Sequence, residues 1–349
     1  MTEAEYRALE IDSYSSLKVF IEDRRKYYRR FVLREPVRDE DTASTIFGSL
    51  VDCLQFTPGE FEERYSLAVS QVPTGQYGKF IDELMKVTLR SLDESGTVTR
   101  DLEDMMEDAY KAVKFDRSGN IVDFKRDSFE VVKGKFLGSD LEMRYRELRD
   151  SHGKTVVELK DVENATAIVN ELKNNFVTKA VMSLVTNERF EVYNQFPIIG
   201  DIWGYPMKCL VDRLIIDTHK KEIFIIDLKT AWDNEGEFVN NYFKYKYYIQ
   251  TGIYHTLVDQ WRFNNLKEYR LNLPKFVVAE SNNYKNPLIY EITEEVYQQA
   301  IDGFKIRGKY YPGVIKAIED LKWHKETGIW SISKDNYMNK GRVKLSPFE

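Results

Sequence analysis

The sequence predicts an α/β fold built on one central mixed sheet flanked by helices, and three observations carry that prediction. Segments of strand length with alternating apolar residues concentrate between residues 188 and 292. One of them, Glu222–Thr230 (EIFIIDLKT), holds a continuous apolar run, as a strand must when both its faces are covered. The order strand, strand, strand, long helix, strand then packs helices against the sheet.

The bulk composition suits such a core. Of 349 residues, 42% are hydrophobic and 31% charged, the balance of a packed chain and not of a disordered one. The length allows one large domain with insertions, or two domains. The 22 tyrosines and 20 phenylalanines suit half-buried surfaces and grooves. The formal net charge of −6 argues against a protein that coats nucleic acid by charge alone, but leaves room for a basic groove around an acidic centre. Neither Cys53 nor Cys209 belongs to a CxxC pair, so no structural zinc or iron–sulfur site is expected, and two cysteines fit a reducing compartment. The first residues, MTEAEYRALEIDSYSS, contain no apolar signal region. No run approaches the ~18 apolar residues that span a membrane. A cytoplasmic protein without membrane association is therefore expected.

Along the chain, Asp12-Ser13-Tyr14-Ser15-Ser16 supplies helix-capping residues, and Leu17, Phe20 and Ile21 follow at helical spacing. The segment then turns basic and aromatic, with Arg25 and Arg29 among the cations that a phosphate backbone would meet. Residues 42–56 form a second helix stopped by Thr57-Pro58-Gly59. Gly48 inside it costs about 1 kcal/mol relative to alanine, which points to close approach by another element. Asp52 lies one turn on, on the same face. Residues 60–185 read as a mainly helical insertion, broken at Pro73-Thr74-Gly75, Gly96, Gly119 and Gly153. Strands are expected over 188–199, 205–216, 222–230, 274–280 and 287–292, with one long helix over 238–261 and a closing helix over 293–321 interrupted at Gly308 and Pro312. The organisation expected is N-terminal helices at 1–59, the insertion at 60–185, a core at 186–325 and a tail at 326–349.

The chemistry concentrates in Val211-Asp212-Arg213 and Ile226-Asp227-Leu228-Lys229-Thr230. Asp227 and Lys229 are two apart on a strand, so they share a face. Burying a carboxylate beside an ammonium is costly unless they pair or bind an ion. The midpoint of 212 and 227 is 219.5, within the turn Thr218–Lys221, so the two aspartates fall opposite each other across a hairpin. Two carboxylates at that separation repel, and a divalent cation resolves the repulsion. Asp212, Asp227 and the carbonyl of Leu228 are hard oxygen ligands that favour Mg²⁺, with Mn²⁺ as a substitute, over zinc. Such an ion polarises a phosphate and activates water, and Lys229 would position or deprotonate that water or stabilise the developing charge. A bare Asp-x-Lys is common and by itself means only an ion pair at a strand end.

The whole arrangement resembles the PD-(D/E)XK nuclease superfamily, in its RecB/RecE-like, exodeoxyribonuclease VIII-type exonuclease branch. That branch carries a glycine-bearing helix with a histidine, then GxxDR, then DLKT, then QxxxY on a helix. Gln250 and Tyr254 supply the last motif at i and i+4, with Lys246 one turn earlier. Ser13–Phe20 is similar to the SxSxLKxF opening, and Phe47–Asp52 with Pro58 and Phe61 to FGxxxH…PxxF. Asp52 stands at the histidine position, where it would serve as a metal ligand but not as a neutral imidazole. Glu191 on the first strand is a further acid to consider. The resemblance covers roughly residues 12–70 and 185–260. It implies a restriction-endonuclease-like core and a Mg²⁺-dependent exonuclease that resects linear double-stranded DNA for recombination or repair. It also implies that Gln250 and Tyr254 help order the active site and contact the DNA, with Lys246, Arg25 and Arg29 as further DNA contacts, and it implies phage or prophage origin, a homo-oligomeric ring and a single-strand annealing partner. An endonuclease or nickase on the same core, or a catalytically silent DNA-binding module, are the alternatives.

Overall fold

The computed structural model describes residues 3–35, 42–93, 97–116, 118–151, 153–231, 237–281, 286–306 and 308–343. In chain order the elements begin with α1 (Glu3–Ala8), β1 (Asp12–Ser13), α2 (Tyr14–Glu22), α3 (Arg24–Tyr27) running on into a π turn, and α4 (Ala43–Phe56). Next come α5 (Phe61–Arg64), β2 (Tyr65–Ala68), α6 (Gly75–Arg90), α7 (Leu102–Lys114), α8 (Phe129–Phe136), α9 (Asp140–Asp150), β3 (Thr155–Glu158), α10 (Leu159–Asn174) and α11 (Lys179–Met182). Then follow β4 (Phe190–Asp201), β5 (Pro206–Asp217), β6 (Glu222–Ala231), α12 (Glu237–Lys244), α13 (Tyr247–Asn265), β7 (Arg270–Leu271), β8 (Lys275–Glu280) and β9 (Leu288–Glu291). The described chain closes with α14 (Glu294–Asp302), β10 (Phe304–Ile306), β11 (Lys309–Tyr311), α15 (Val314–Thr327) and α16 (Lys334–Met338).

The chain divides into two compact units, Met1–Pro58 with Ala165–Glu349, and Gly59–Asn164. The smaller one is helical, as its amphipathic segments dictate. Phe80, Leu84, Met105, Phe124, Phe136 and Tyr145 from α6 to α9 fill its core, and the parallel pair β2–β3 joins its two ends through Tyr65↔Thr155. Its upper boundary falls inside α10 and not near residue 185. Residues 165–185 belong with the larger unit, where the Gln55 amide donates to the Met182 carbonyl at 3.0 Å. The break read at Gly96 lies outside the described residues.

In the larger unit a seven-stranded mixed sheet forms among the described residues, in the path β1-β5-β6-β8-β9 with β4 on β5 and β7 on β6. The β5–β6 hairpin turns where the Asp217 side chain accepts the His219 and Lys220 N–H groups and Lys221 takes a left-handed φ of 54°. Its register, Arg213↔Ile226 through Asp217↔Glu222, is antiparallel, whereas β6 runs parallel to β8 from Ile226↔Lys275 to Ala231↔Glu280. β4 lines one edge of β5 along its whole length. The other edge is divided: β6 takes Arg213–Asp217 and β1 takes Met207 and Lys208. Asp212 therefore lies where β6 leaves β5 and turns to β8.

One face of the sheet carries the large apolar cluster of Met207, Cys209, Val211, Ile223 and Ile225 against Ile249, Ile253 and Leu257 of α13. The two-residue alternation of β5 slips between Val211 and Leu214, both in this cluster, so the irregularity of the strand coincides with Asp212. Asp12 is more than a cap. It is buried and accepts hydrogen bonds from Ser16, Tyr27, Tyr205 and Lys325, fastening the start of α2 to β5 and α15.

Two helical expectations change. The segment read as one helix over 238–261 is two, because Lys246 adopts a left-handed φ of 58° at the start of α13. The interruption read at Gly308 and Pro312 is filled by the β10–β11 hairpin between α14 and α15. The close packing of α13 is measurable at Gly252, where an added Cβ would lie 2.7 Å from Val314 Cγ2 and 3.3 Å from Ile301 Cδ1. Gly252→Ala gains about 1 kcal/mol of helix propensity but overpacks the core at a cost of about 1–3 kcal/mol. A net loss is expected, read as a lower urea midpoint; an unchanged or higher midpoint would show that α13 is not pressed against these helices.

Candidate active site

The divergence of β6 from β5 builds the site. With the ladder continued one step past Arg213↔Ile226, Asp212 and Asp227 face each other, the register that the turn position implies. The ladder instead stops, and the Leu228 N–H, which would have paired in a continued sheet, donates to Asp212 Oδ2 at 3.0 Å. A carboxylate has thus replaced a strand at the opening. The opposite neighbour, Gln195, has a left-handed φ of 47°, so β4 is also irregular at this level.

Asp227 is almost fully buried on the face that packs against α13. Its Oδ1 accepts the Gln250 side-chain N–H at 2.5 Å. Its Oδ2 forms an ion pair with the Lys229 ammonium but receives no aligned hydrogen bond. The Gln250 Oε1 is likewise buried without a donor. Lys229 Nζ also lies 3.4 Å from the Leu228 carbonyl and 5.2 Å from the ring centre of Tyr247, a cation–π contact. Gly48 of α4 lets that helix reach β6, since a Cβ there would lie 3.2 Å from Thr230 Oγ1. Asp52 follows one turn later, half-buried.

The electrostatics are unbalanced in a specific direction. Burial, then the charges of Asp227 and Asp52, push the Asp212 carboxyl well above its usual range, against the pull of Lys229 and the Leu228 N–H. Burial disfavours the Lys229 charge, but Asp227, Asp212 and Tyr247 outweigh it and hold the ammonium above its usual pKa. Burial and the nearby charges of Cys209, Asp227 and Asp212 raise the Tyr254 hydroxyl well above the tyrosine range. Lys229 in this state is a proton holder and not a base.

The structure brings Asp212, Asp227, Leu228, Lys229, Gln250 and Tyr254 into one group, with Asp52 within its electrostatic range. It does not bring in the other residues in the same way. Gln250 is buried and spends its amide on Asp227, so it orders the acid and is not placed to meet DNA. Lys246 does not share the helical face of Gln250, because it precedes α13 in a left-handed conformation, and it pairs with Glu22 at 2.8 Å. Arg25 donates to the Ser331 carbonyl at 2.9 Å, and Arg29 is exposed; neither shares a hydrogen bond or ion pair with the aspartates among the described residues. Glu191 pairs with Ile216, four residues along β5 from Asp212, a separation of about 13 Å at strand rise, and accepts from Tyr193. It is too far to share an ion with Asp212. Cys209 occupies the glycine position of the GxxDR pattern and is buried in the core. Arg213 points elsewhere, to Asn194 at 2.8 Å and the Leu184 carbonyl. Sequence reasoning passed over Tyr14 and Tyr247, whose hydroxyls both lie in the field of Lys229 and Asp227; the signal available was the Lys-Tyr-Lys-Tyr-Tyr run at 244–248.

The donors present fit a hard divalent cation. Burial and the charges of Asp227 and Asp52 drive Asp212 toward its neutral form, and the one ammonium at the site, Lys229, does not offset the acids. Among the described residues no three His, Cys, Asp or Glu side chains are gathered into a ready-made cluster; the Leu228 carbonyl, 3.4 Å from Lys229 Nζ, is a further oxygen at the site.

Comparison with known proteins gives a solved structure of low identity and a family that spans most of the chain. A crystal structure from Eubacterium rectale, of a protein provisionally described as an exonuclease, is 14% identical with a TM-score of 0.44, covering 100% of this chain and 96% of that one. No curated protein matches the chain. Among the described residues no helix is long and apolar enough to cross a membrane. The family described as a PDDEXK-like domain of unknown function (DUF3799) matches residues 13–320. That stretch runs from the cap of α2 through the whole sheet into α15, well over half of the sequence, and the chain belongs to this PDDEXK-like family.

Proposed function

We propose that this protein is a divalent-cation-dependent deoxyribonuclease that hydrolyses DNA phosphodiester bonds, with Mg²⁺ as the cofactor and Mn²⁺ able to replace it. The observation that carries the proposal is the pairing of half-buried Asp212 with buried Asp227, in which desolvation and two neighbouring carboxylates leave Asp212 short of positive charge. Asp212, Asp227 and the Leu228 carbonyl would hold the cation, with Asp52 as a further acid from α4. Once bound, the cation supplies Lewis acidity toward a phosphate oxygen and lowers the pKa of an attacking water. Gln250 fixes the Asp227 carboxylate through its amide. Lys229 keeps its proton and places positive charge beside the carboxylates, where negative charge grows on the transferring phosphate. Tyr254, on α13, lies within the field of both aspartates.

The finer reading is an exonuclease that resects linear double-stranded DNA for recombination or repair, in the host bacterial cytoplasm of a phage or prophage. It rests on the motifs at Ser13–Phe20, Phe47–Phe61 and Gln250–Tyr254. A homo-oligomeric ring and a single-strand annealing partner belong to the same reading and rest on the resemblance alone.

Linear and closed circular duplexes separate the modes: an exonuclease degrades the first with Mg²⁺ and leaves the second intact. Asp227→Ala is expected to lower cleavage by at least about 100-fold, and Lys229→Ala to lower kcat by about 100-fold with little change in DNA affinity. Cleavage by Asp227→Ala at the parent rate would remove the assignment. The charge imbalance gives a second test that needs no activity. A carboxyl raised in the folded state loses stability as pH climbs from its unfolded value through the folded one. At neutral pH in EDTA, Asp212→Asn should therefore be more stable than the parent, read as a higher urea midpoint. Added Mg²⁺ should raise the melting temperature of the parent more than that of Asp212→Asn; equal rises would place the ion elsewhere.

A further inference from the structure

Beside the candidate active site lies a group of cations that the proposed chemistry does not use. Tyr14 and Lys18 stand one turn apart on α2 and both reach the break between α12 and α13. The Tyr14 hydroxyl donates to the Tyr245 carbonyl at 2.7 Å. Lys18 Nζ lies 5.5 Å from the Tyr245 ring centre, and Lys244 Nζ lies 5.0 Å from the same centre. Tyr245 is 39% exposed, and among the described residues its hydroxyl makes no hydrogen bond.

Neither Lys18 nor Lys244 has an ion-pair or hydrogen-bond partner among the described residues. The nearest acid on α2, Glu22, is bonded to Lys246 at 2.8 Å. Lys18 is half-buried. Burial pulls its pKa below the ordinary lysine value; Glu22 opposes this, and the ammonium groups of Lys246 and Lys229 add to it. The field of Lys229 at Lys18 ties this surface to the catalytic group. Lys18 is therefore a half-buried cation whose nearest acid on its own helix is already bonded to another lysine.

We propose that Lys18, Lys244 and Tyr245 form an anion site that takes a phosphate of the DNA strand leading into the active site. The two ammonium groups supply the charge, the Tyr245 hydroxyl supplies a third donor, and its ring holds the two cations in place. Tyr14 positions this segment through the Tyr245 carbonyl. Helix α2 thereby acquires a purpose beyond packing: its Tyr-x-x-x-Lys pair presents the site. The break in the helix at Lys246 serves the same end, since a continuous helix would carry Tyr245 away from the Tyr14 hydroxyl. The site rests on the nuclease reading for its substrate, but not for its chemistry.

The test is binding of a short fluorescent single strand to the full chain in EDTA, where no cleavage occurs, over a range of salt. Lys18→Met and Lys244→Met remove the charges and keep the side-chain stems; melting temperatures confirm folding. The double variant should bind roughly tenfold more weakly, with a log–log salt slope smaller by roughly 0.7, the value of one single-strand phosphate contact. Tyr245→Phe should weaken binding a few-fold without changing the slope. Lys267→Met, a surface control just beyond the far end of α13, should change neither. A circularised strand tells an internal phosphate from a terminal one: if the double variant loses affinity for the circle too, the site holds backbone phosphate, and if only linear strands carrying a terminal phosphate are affected, it holds the end. Parent-like affinity and slope in the double variant overturn the proposal, as does an equal loss in Lys267→Met. Cleavage of linear duplex by the parent, measured in parallel, keeps the two claims apart. Cleavage with unchanged charge variants sinks the anion site alone, whereas no cleavage with a reduced slope sinks the nuclease reading and leaves the anion site standing.

Discussion

Everything in the larger unit is arranged around two carboxylates that repel each other inside a sheet. A sheet tolerates a buried acid only if its oxygens find donors or a counter-charge. Here the strands themselves make the accommodation. β6 abandons β5 after Ile226 and continues on β8, and the vacated pairing position is filled by the Asp212 side chain on the Leu228 N–H. Asp227 is met from α13 by Gln250 and from its own strand by Lys229. Each device removes part of the cost, yet Asp212 still lies far from its ordinary pKa. That residue of unmet charge is what a divalent cation would neutralise.

The surrounding elements follow from the same constraint. α13 must lie close on the sheet for Gln250 to reach Asp227, which is why Gly252 faces α14 and α15. α4 must approach β6 closely to bring Asp52 into range, and Gly48 against Thr230 permits it. The N-terminal segment is locked to β5 by the buried Asp12 and its hydroxyl and ammonium donors, and this fixes the start of α2, from which Tyr14 and Lys18 extend. Stability of the acid centre and placement of the basic surface beside it are therefore coupled through one short strand and one helix.

Much of this was legible in the sequence because it rests on period and symmetry. The alternation in residues 188–292 marks the strands, and a hairpin centred near 219.5 can have only one register, which sets Asp212 opposite Asp227. The helical spacing of Gly48 and Asp52, and of Gln250 and Tyr254, survives in α4 and α13. What stayed hidden depends on tertiary context. Nothing local in Phe238–Trp261 signals a left-handed lysine; Lys246 adopts that conformation where its ammonium pairs with Glu22, far away in sequence. Glu191 looked like a further acid until strand register placed it opposite Ile216. The end of the helical insertion was read too late because α10 continues unbroken through the boundary at Asn164. Asp12 looked like an ordinary cap because its true partners, Tyr205 and Lys325, lie far away in sequence.

The central claim is that the Asp212–Asp227 opening is a cation site. The most direct measurement is anomalous scattering from crystals grown or soaked with Mn²⁺. The account predicts a peak coordinated by the two carboxylates and the Leu228 carbonyl, with Lys229 displaced from Asp227 Oδ2. Crystals that hold Mn²⁺ only at other positions, with Asp212 still on the Leu228 N–H and Asp227 still paired to Lys229, would contradict it.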